Sequence, residues 1–442
     1  MFSSVFDIII PVIYFFLIIT AGYFIQKINA VKYPEYKYFN FALSAKLIGV
    51  TLFCLVYTYY YDGGDTVNYF LGSKALVNLL FQNFERGFAV IFNTDSYMNS
   101  WFSFNTDTGY PPHYMWKDSK TFSVSRFSSV FYILGSGNFL ATSYFTAVFS
   151  FIGTWKLFRL YNTIYSNVSK GLFYIVLILP TLIFWGSGIM KDSFVLGSTC
   201  WITYNFHKIF ILRKDFFWNS IFLILNLLIL FNTKAYVFIS LIPGLVLWIN
   251  SAYLKSSKTI FSKLLKFPLF IIIFSFGGFY VFSNLSSMMG VYGNVDSAIE
   301  QAQVIQQDLL REEAYGTNSY NIGEIDGTIG GFISLAPIAI FTAIYRPLFW
   351  EIGSPMMVIS VIENSVLLLF SFYLLINIGP FRLVKIVLSE PIILYAFVFS
   401  VVFAFGVGIA GTNFGALVRY KVPLMPFYLP MLYITYSLAT KK

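Results

Sequence analysis

The stretch Phe53-Cys54-Leu55-Val56-Tyr57-Thr58-Tyr59-Tyr60-Tyr61-Asp62-Gly63-Gly64-Asp65-Thr66-Val67-Asn68-Tyr69 decides how this chain is read. Its first half closes an apolar run that begins near residue 41, and its second half sets Asp62 and Asp65 where that run leaves the membrane. Gly63 and Gly64 between them let the backbone turn sharply and let a ligand come close. An anionic pair in a glycine turn, flanked by tyrosines, suits holding something polar beside a lipid. An interfacial turn with Tyr anchors at headgroup depth accounts for the same residues without any ligand.

Composition supports the membrane reading. The chain has 442 residues, of which 57% are hydrophobic, 21% aromatic and 11% charged, whereas a soluble domain carries about 25% charged residues. Cys54 and Cys200 both lie inside apolar runs, so neither a disulfide framework nor a cysteine metal site is supported. With His113 and His207 as the two histidines, a histidine-rich metal site is excluded as well. The net charge of +9 is not a nucleic-acid footprint, because the basic residues fall in short clusters between apolar runs and read as topology signals. The first apolar run has no basic n-region and no small-residue cleavage site, so no cleavable signal peptide is expected.

Working outward, the runs at 5–25 and 41–61 are the first two spans, and Lys27, Lys32 and Lys37 between them belong inside. Asp62 is then on the outer face. Residues 62–126 form a long outer segment, of which 68–88 has helical spacing suited to the interface. The run at 127–134 is too short to cross and reads as half-inserted. Further spans are expected at 139–158, 171–186, 194–210, 216–231, 236–249 and 267–282, followed by an acidic outer segment at 284–331. Residues 356–378, 392–409 and 424–438 complete the set. Residues 332–350 read as re-entrant, because a full crossing there would put Arg382 and Lys385 outside. The expectation is one integral membrane domain over 1–442, an all-α polytopic transmembrane helical bundle of about eleven spans plus re-entrant or interfacial helices.

This arrangement collects Asp62, Asp65, Lys191, Asp192, Lys234, Arg346, Glu351, Arg419 and Lys421 at or near one face. Ionisable residues at membrane depth are costly and usually face a cavity or each other. A carboxylate can take a proton from a sugar hydroxyl as a general base. Arg and Lys can bind phosphate and stabilise charge on a phosphate leaving group. Together these describe glycosyl transfer from a lipid-linked phospho-sugar. Asp62 leads as the base, because it directly follows a span while Asp65 lies past two flexible glycines. Plainer readings stand beside these roles: Lys191 and Asp192 as a salt-bridged pair, Arg346 as a snorkelling anchor, Glu363 paired within the bundle, His113 as a turn residue.

The motifs Asp62 to Tyr69, Leu179-Pro180 through Lys191-Asp192-Ser193, and Arg419-Tyr420-Lys421-Val422-Pro423-Leu424-Met425-Pro426 resemble those of the GT-C superfamily of membrane glycosyltransferases. The turn Tyr110-Pro111-Pro112 is similar to a Pro-Pro element of its first outer loop. The resemblance implies a polyprenyl-phosphate sugar as donor, a glycan, lipid or protein as acceptor, and reaction at the outer face of a bacterial cytoplasmic membrane. It implies acidic roles for Asp62 or Asp65 and for Asp192, with Arg419 and Tyr420 near the lipid phosphate. Lys191, Lys234, Arg346 and Lys421 join them as candidate phosphate ligands, and Tyr69, Tyr110 and His113 as candidate acceptor contacts. No cofactor is required; a divalent metal is left open, and the bilayer is the only other partner, with no nucleic acid. The chain departs from the common layout in its extra first span and its late outer segment, which resembles instead that of O-antigen and exopolysaccharide polymerases. A flippase, transporter or assembly subunit is the non-enzyme alternative, but no repeat of the Asp62 motif, as paired transporter halves would give, occurs in the second half.

Overall fold

The computed structural model describes residues 4–92, 94, 97–116, 118–256, 295–310, 319–323, 325 and 327–440. Among the described residues the fold is all-α, and the single β-bridge pairs Ser319 with Asn413. The expected span at 267–282, with Lys258, Lys263, Lys266, Glu312, Glu313, Glu324 and Asp326, lies outside the described residues. The chain forms two compact units, one of residues 1–205 and 217–234, the other of residues 206–216 and 235–442.

In the first unit, α1 (Val5–Ala30) starts from a capping box in which the Ser4 and Asp7 side chains bond each other's backbone N–H groups. α2 (Phe39–Tyr59) follows and lies against α1, Gly22 of α1 seating against Asn40 and Leu43. The segment with helical spacing at 68–88 falls in α3 (Asp65–Gln82) and α4 (Phe84–Phe92), which the short α5 (Tyr97–Phe102) follows. α3 is packed into the unit by α6 (Ser119–Leu134). Gly72 lets the two approach, the Ser73 hydroxyl donates to Ser125 O, and the Ser125 hydroxyl donates to Tyr69 O. α6 starts well before the apolar run at 127–134, because Asp118 caps it by accepting from Lys120 N and Thr121 N. Its first half is Ser/Thr-rich and buried, so hydrophobic periodicity does not announce it.

α7 (Phe139–Ile164) is capped by Asn138 and meets α10 (Lys191–Phe206) through Gly153 and Gly197, the small-residue contact that lets helices approach closely in lipid. Between them the expected span at 171–186 is broken. α8 (Ser169–Phe173) runs through a π-helical turn to Leu179, whose ψ of 123° is not helical, and Pro180 opens α9 (Pro180–Phe184). Pro cannot supply the N–H that a continuous helix needs there, but suits a first helical position. α11 (Phe216–Ser256) holds the runs at 216–231 and 236–249, with non-helical Lys234 (φ −139°, ψ 82°) between them.

The second unit contains α12 (Val295–Leu309), α13 (Ile329–Ser334), α14 (Ala336–Tyr345), α15 (Val358–Ile378), α16 (Pro380–Ser389), α17 (Pro391–Ala410), α18 (Phe414–Tyr420) and α19 (Met425–Thr440). α14 has 10 residues, about 15 Å of helix against a hydrocarbon core of about 30 Å, and it packs on α17 where Gly408 faces the Ala339 backbone. Among the described residues six helical segments are long and apolar enough to cross a membrane: Val5–Ala30, Pro34–Tyr59, Phe216–Tyr253, Pro355–Ile378, Pro391–Ala410 and Phe414–Thr440.

Candidate functional site

The first unit gathers the N-terminal ends of α3, α6 and α10 around one set of charged groups. Lys191, the first residue of α10, places Nζ 2.6 Å from the Thr121 hydroxyl and 3.5 Å from Asp118 Oδ2 at the head of α6. Its electrostatic neighbours also include Lys234 and Asp65, the first residue of α3. Tyr114 lies among the same groups, bonded to Asn68 and within reach of the fields of Asp65 and Asp118. Burial, then the Asp65 carboxylate, pushes the Tyr114 phenol above its ordinary value. Burial lowers the Lys191 ammonium, with Asp118 opposing.

Lys191 and Asp192 do not pair with each other. Asp192 instead receives Lys234 Nζ at 2.6 Å, both side chains buried at 2% and 8% exposure. Asp192 is thereby a partner for a buried ammonium, and the extended backbone at Lys234 brings that ammonium in.

Burial works against ionised Asp118, but Lys191 and the bonds from Thr121 and Lys120 outweigh it and hold the carboxyl below its ordinary value of 3.8. A depressed value means the native state gains stability from this group above 3.8 and loses it as pH falls through the lowered value. The thermal unfolding midpoint is therefore expected to drop more steeply for the native chain than for Asp118→Asn between about pH 5 and about pH 3. Parallel curves for the two proteins would remove Asp118 from the account.

The turn that carries Lys191 is fixed from beneath by Lys46, a residue for which the sequence offers no motif. Lys46 lies in α2 with 3% exposure, and its Nζ donates to Leu182 O at 2.7 Å and Gly186 O at 2.8 Å. The last carbonyls of a helix lack intrahelical partners, and a cation at that end is favoured by the helix dipole. Ser150 also donates to Gly186 O, at 2.8 Å, and Gly188 seats against the Phe53 ring. Lys46→Met is expected to leave Leu182 O without this donor and to cost about 1–3 kcal/mol, read as a lower unfolding midpoint in detergent. An unchanged midpoint would contradict the latch.

The remaining candidates of this unit are placed differently. Asp62 is exposed, with a left-handed φ of 50°, in the turn where Gly63 N bonds Tyr57 O. Tyr69 is a core residue of α3 at 4% exposure, which takes it away from acceptor contact. Tyr110 and His113 are exposed, on either side of buried Pro111.

The second unit holds the other basic candidates. Arg346 follows α14; its Nε lies 2.7 Å from Glu351 Oε1, and its guanidinium lies 4.9 Å from the Tyr320 ring centroid and 5.0 Å from that of Phe414. Tyr320 N donates to Thr412 O, and the Thr412 hydroxyl donates to Gln306 O, so α12 and residues 319–323 are tied to the turn after α17. Lys421 is buried at 1% exposure, its Nζ on Asn364 Oδ1 at 2.5 Å and Arg346 O at 3.0 Å. That ammonium is committed to holding α15, the residue after α14 and the end of α18 together, rather than offered to a phosphate. Arg419 and Tyr420 are half-buried in the last turn of α18.

Sequence reasoning missed Asp118, Thr121, Tyr114 and Lys46. The cap pattern Asp118-Ser119 was a usable signal for the first of these. Among the described residues no group of three or more His, Cys, Asp or Glu side chains is placed to hold a metal ion. No protein-family model, curated protein or solved structure matches this chain.

Proposed function

We propose that this chain is a membrane glycosyltransferase of GT-C-like architecture, with about eleven spans of about 20 residues. It moves a sugar from a polyprenyl-phosphate donor to a glycan, lipid or protein acceptor at the outer face of a bacterial cytoplasmic membrane. The observation that carries the reading is the meeting of Asp65, Tyr114, Asp118, Thr121 and Lys191 at three helix N-termini. Helix N-terminal dipoles favour an anion there, Lys191 supplies the positive charge that binds a phosphate, and a carboxylate beside them can act on a hydroxyl.

In this reading Asp65 takes the proton of the acceptor hydroxyl. The acceptor oxygen bonds the anomeric carbon as the bond from that carbon to the lipid-phosphate oxygen breaks. Lys191 meets the charge left on the phosphate. α2 ends at Tyr59 and α3 begins at Asp65, so Asp65 rather than Asp62 is the carboxylate held by a rigid element. In the second unit Arg346 is engaged by Glu351. The anchoring of α12 to Thr412 favours a second reading, a polymerase that joins lipid-linked glycan units beside this helix.

A polyprenyl-phosphate sugar with a diazirine beside the phosphate tests the site. Crosslinks are expected on peptides covering 110–121 or 186–193, and unlabelled polyprenyl phosphate should compete them away. Labelling confined to other peptides, or indifferent to the competitor, would sink the assignment.

A further inference from the structure

Among the described residues of the second unit, α16 is the one helix set between two candidate spans by a hard turn at each end. Gly379, with a left-handed φ of 82°, and Pro380 separate it from α15; Glu390 and Pro391 separate it from α17. Its position is therefore the membrane boundary, at the same end of the unit as the C-terminus of α19, because Arg382 Nη2 donates to Ala439 O at 2.8 Å. At 100° per residue the helix divides into three sectors. Leu383, Ile386 and Val387 are the half-buried sector, and the helix packs on α17 and α19. Phe381, Val384 and Leu388 form a second sector and are 92%, 56% and 60% exposed. Lys385, Ser389 and Arg382 form the third, next to the apolar one, and Lys385 is exposed.

A polar surface helix in water has no reason to present Phe, Val and Leu on one stripe. A span would be apolar all round and twice as long. Three sectors, protein, apolar and basic, are the pattern of a helix lying in the headgroup plane. The two charges that the helix itself carries, Arg382 and Lys385, are both positive, which complements anionic lipid. We infer that α16 lies in the plane of one leaflet, with Phe381, Val384 and Leu388 among the acyl chains and Lys385 on anionic lipid headgroups. This is independent of the transfer chemistry and rests only on the chain being a membrane protein.

Bimane attached to Phe381→Cys in the full-length protein, in phosphatidylcholine nanodiscs, tests the first half; native Cys54 and Cys200 are buried. Lipids brominated on the acyl chain should quench the label, and aqueous iodide should not. Quenching by iodide alone would show a solvated helix, and quenching by neither would show a face covered by a second copy; both overturn the inference. Leu388→Cys repeats the test should the first variant fold poorly. For the second half, Lys385→Gln should weaken retention of phosphatidylglycerol, measured by native mass spectrometry, roughly fivefold. Retention equal to that of the native chain would overturn the headgroup contact.

Discussion

Replacing Asp65 by Asn is expected to lower sugar transfer by about 10²–10⁴-fold, with folded protein and donor binding little changed, while Asp62→Asn stays near the native rate. The two carboxylates are neighbours in sequence, yet their surroundings differ. Asp65 opens α3 and shares its field with Lys191 and Tyr114. Asp62 points its backbone into the left-handed region in an exposed turn. Asn tolerates that conformation better than most residues, so Asp62→Asn removes a charge without straining the turn and isolates chemistry from folding. Single-turnover rates for both variants, at saturating acceptor, make the comparison. A slow Asp62→Asn beside a normal Asp65→Asn would return the base to the residue that sequence position alone favours.

The second large effect is on stability. Asp192 and Lys234 are a buried pair at 2.6 Å. Removing one partner leaves an uncompensated charge in the interior, which typically costs about 3–5 kcal/mol. Asp192→Asn is therefore expected to unfold at a markedly lower temperature in detergent. The double variant Asp192→Asn/Lys234→Met should recover much of the loss, because neither charge then remains. A catalytic role for Asp192 without a structural one predicts the contrary pattern, an inactive single variant with native stability and no recovery in the double.

The elements legible in the sequence are those whose apolar character does not depend on neighbours. α1, α2, α15 and α17 are long apolar runs, bounded by basic residues or by Gly and Pro, and they lie where the runs place them. The break at Leu179-Pro180 was not legible as a break: the run at 171–186 reads as one span, although the missing N–H of proline is the local cause. The first half of α6 was not, since Thr121, Ser123, Ser125 and Arg126 look like loop residues until α3 covers them. The site divides in the same way. Asp65, Lys191, Asp192 and Lys234 stand out as charges at the ends of apolar runs, but which carboxylate meets which ammonium depends on the turn of α10 and the backbone of Lys234. Lys46 had no signal at all. A lysine within an apolar run gives no hint that two carbonyls of a helix broken 136 and 140 residues away await it. Lys421 was read as a phosphate ligand for its charge and motif, and its burial against Asn364 is a property of packing alone.

The most direct test of the central claim is transfer itself. Purified protein in nanodiscs is given a polyprenyl-phosphate donor labelled in the sugar and a membrane extract as acceptor source, beside an equal amount of Asp65→Asn. The account predicts that the native chain moves the label to an acceptor and releases free polyprenyl phosphate, and that Asp65→Asn does neither at a comparable rate. Donor that binds but is only carried across the bilayer intact, or equal transfer by the two proteins, would contradict it.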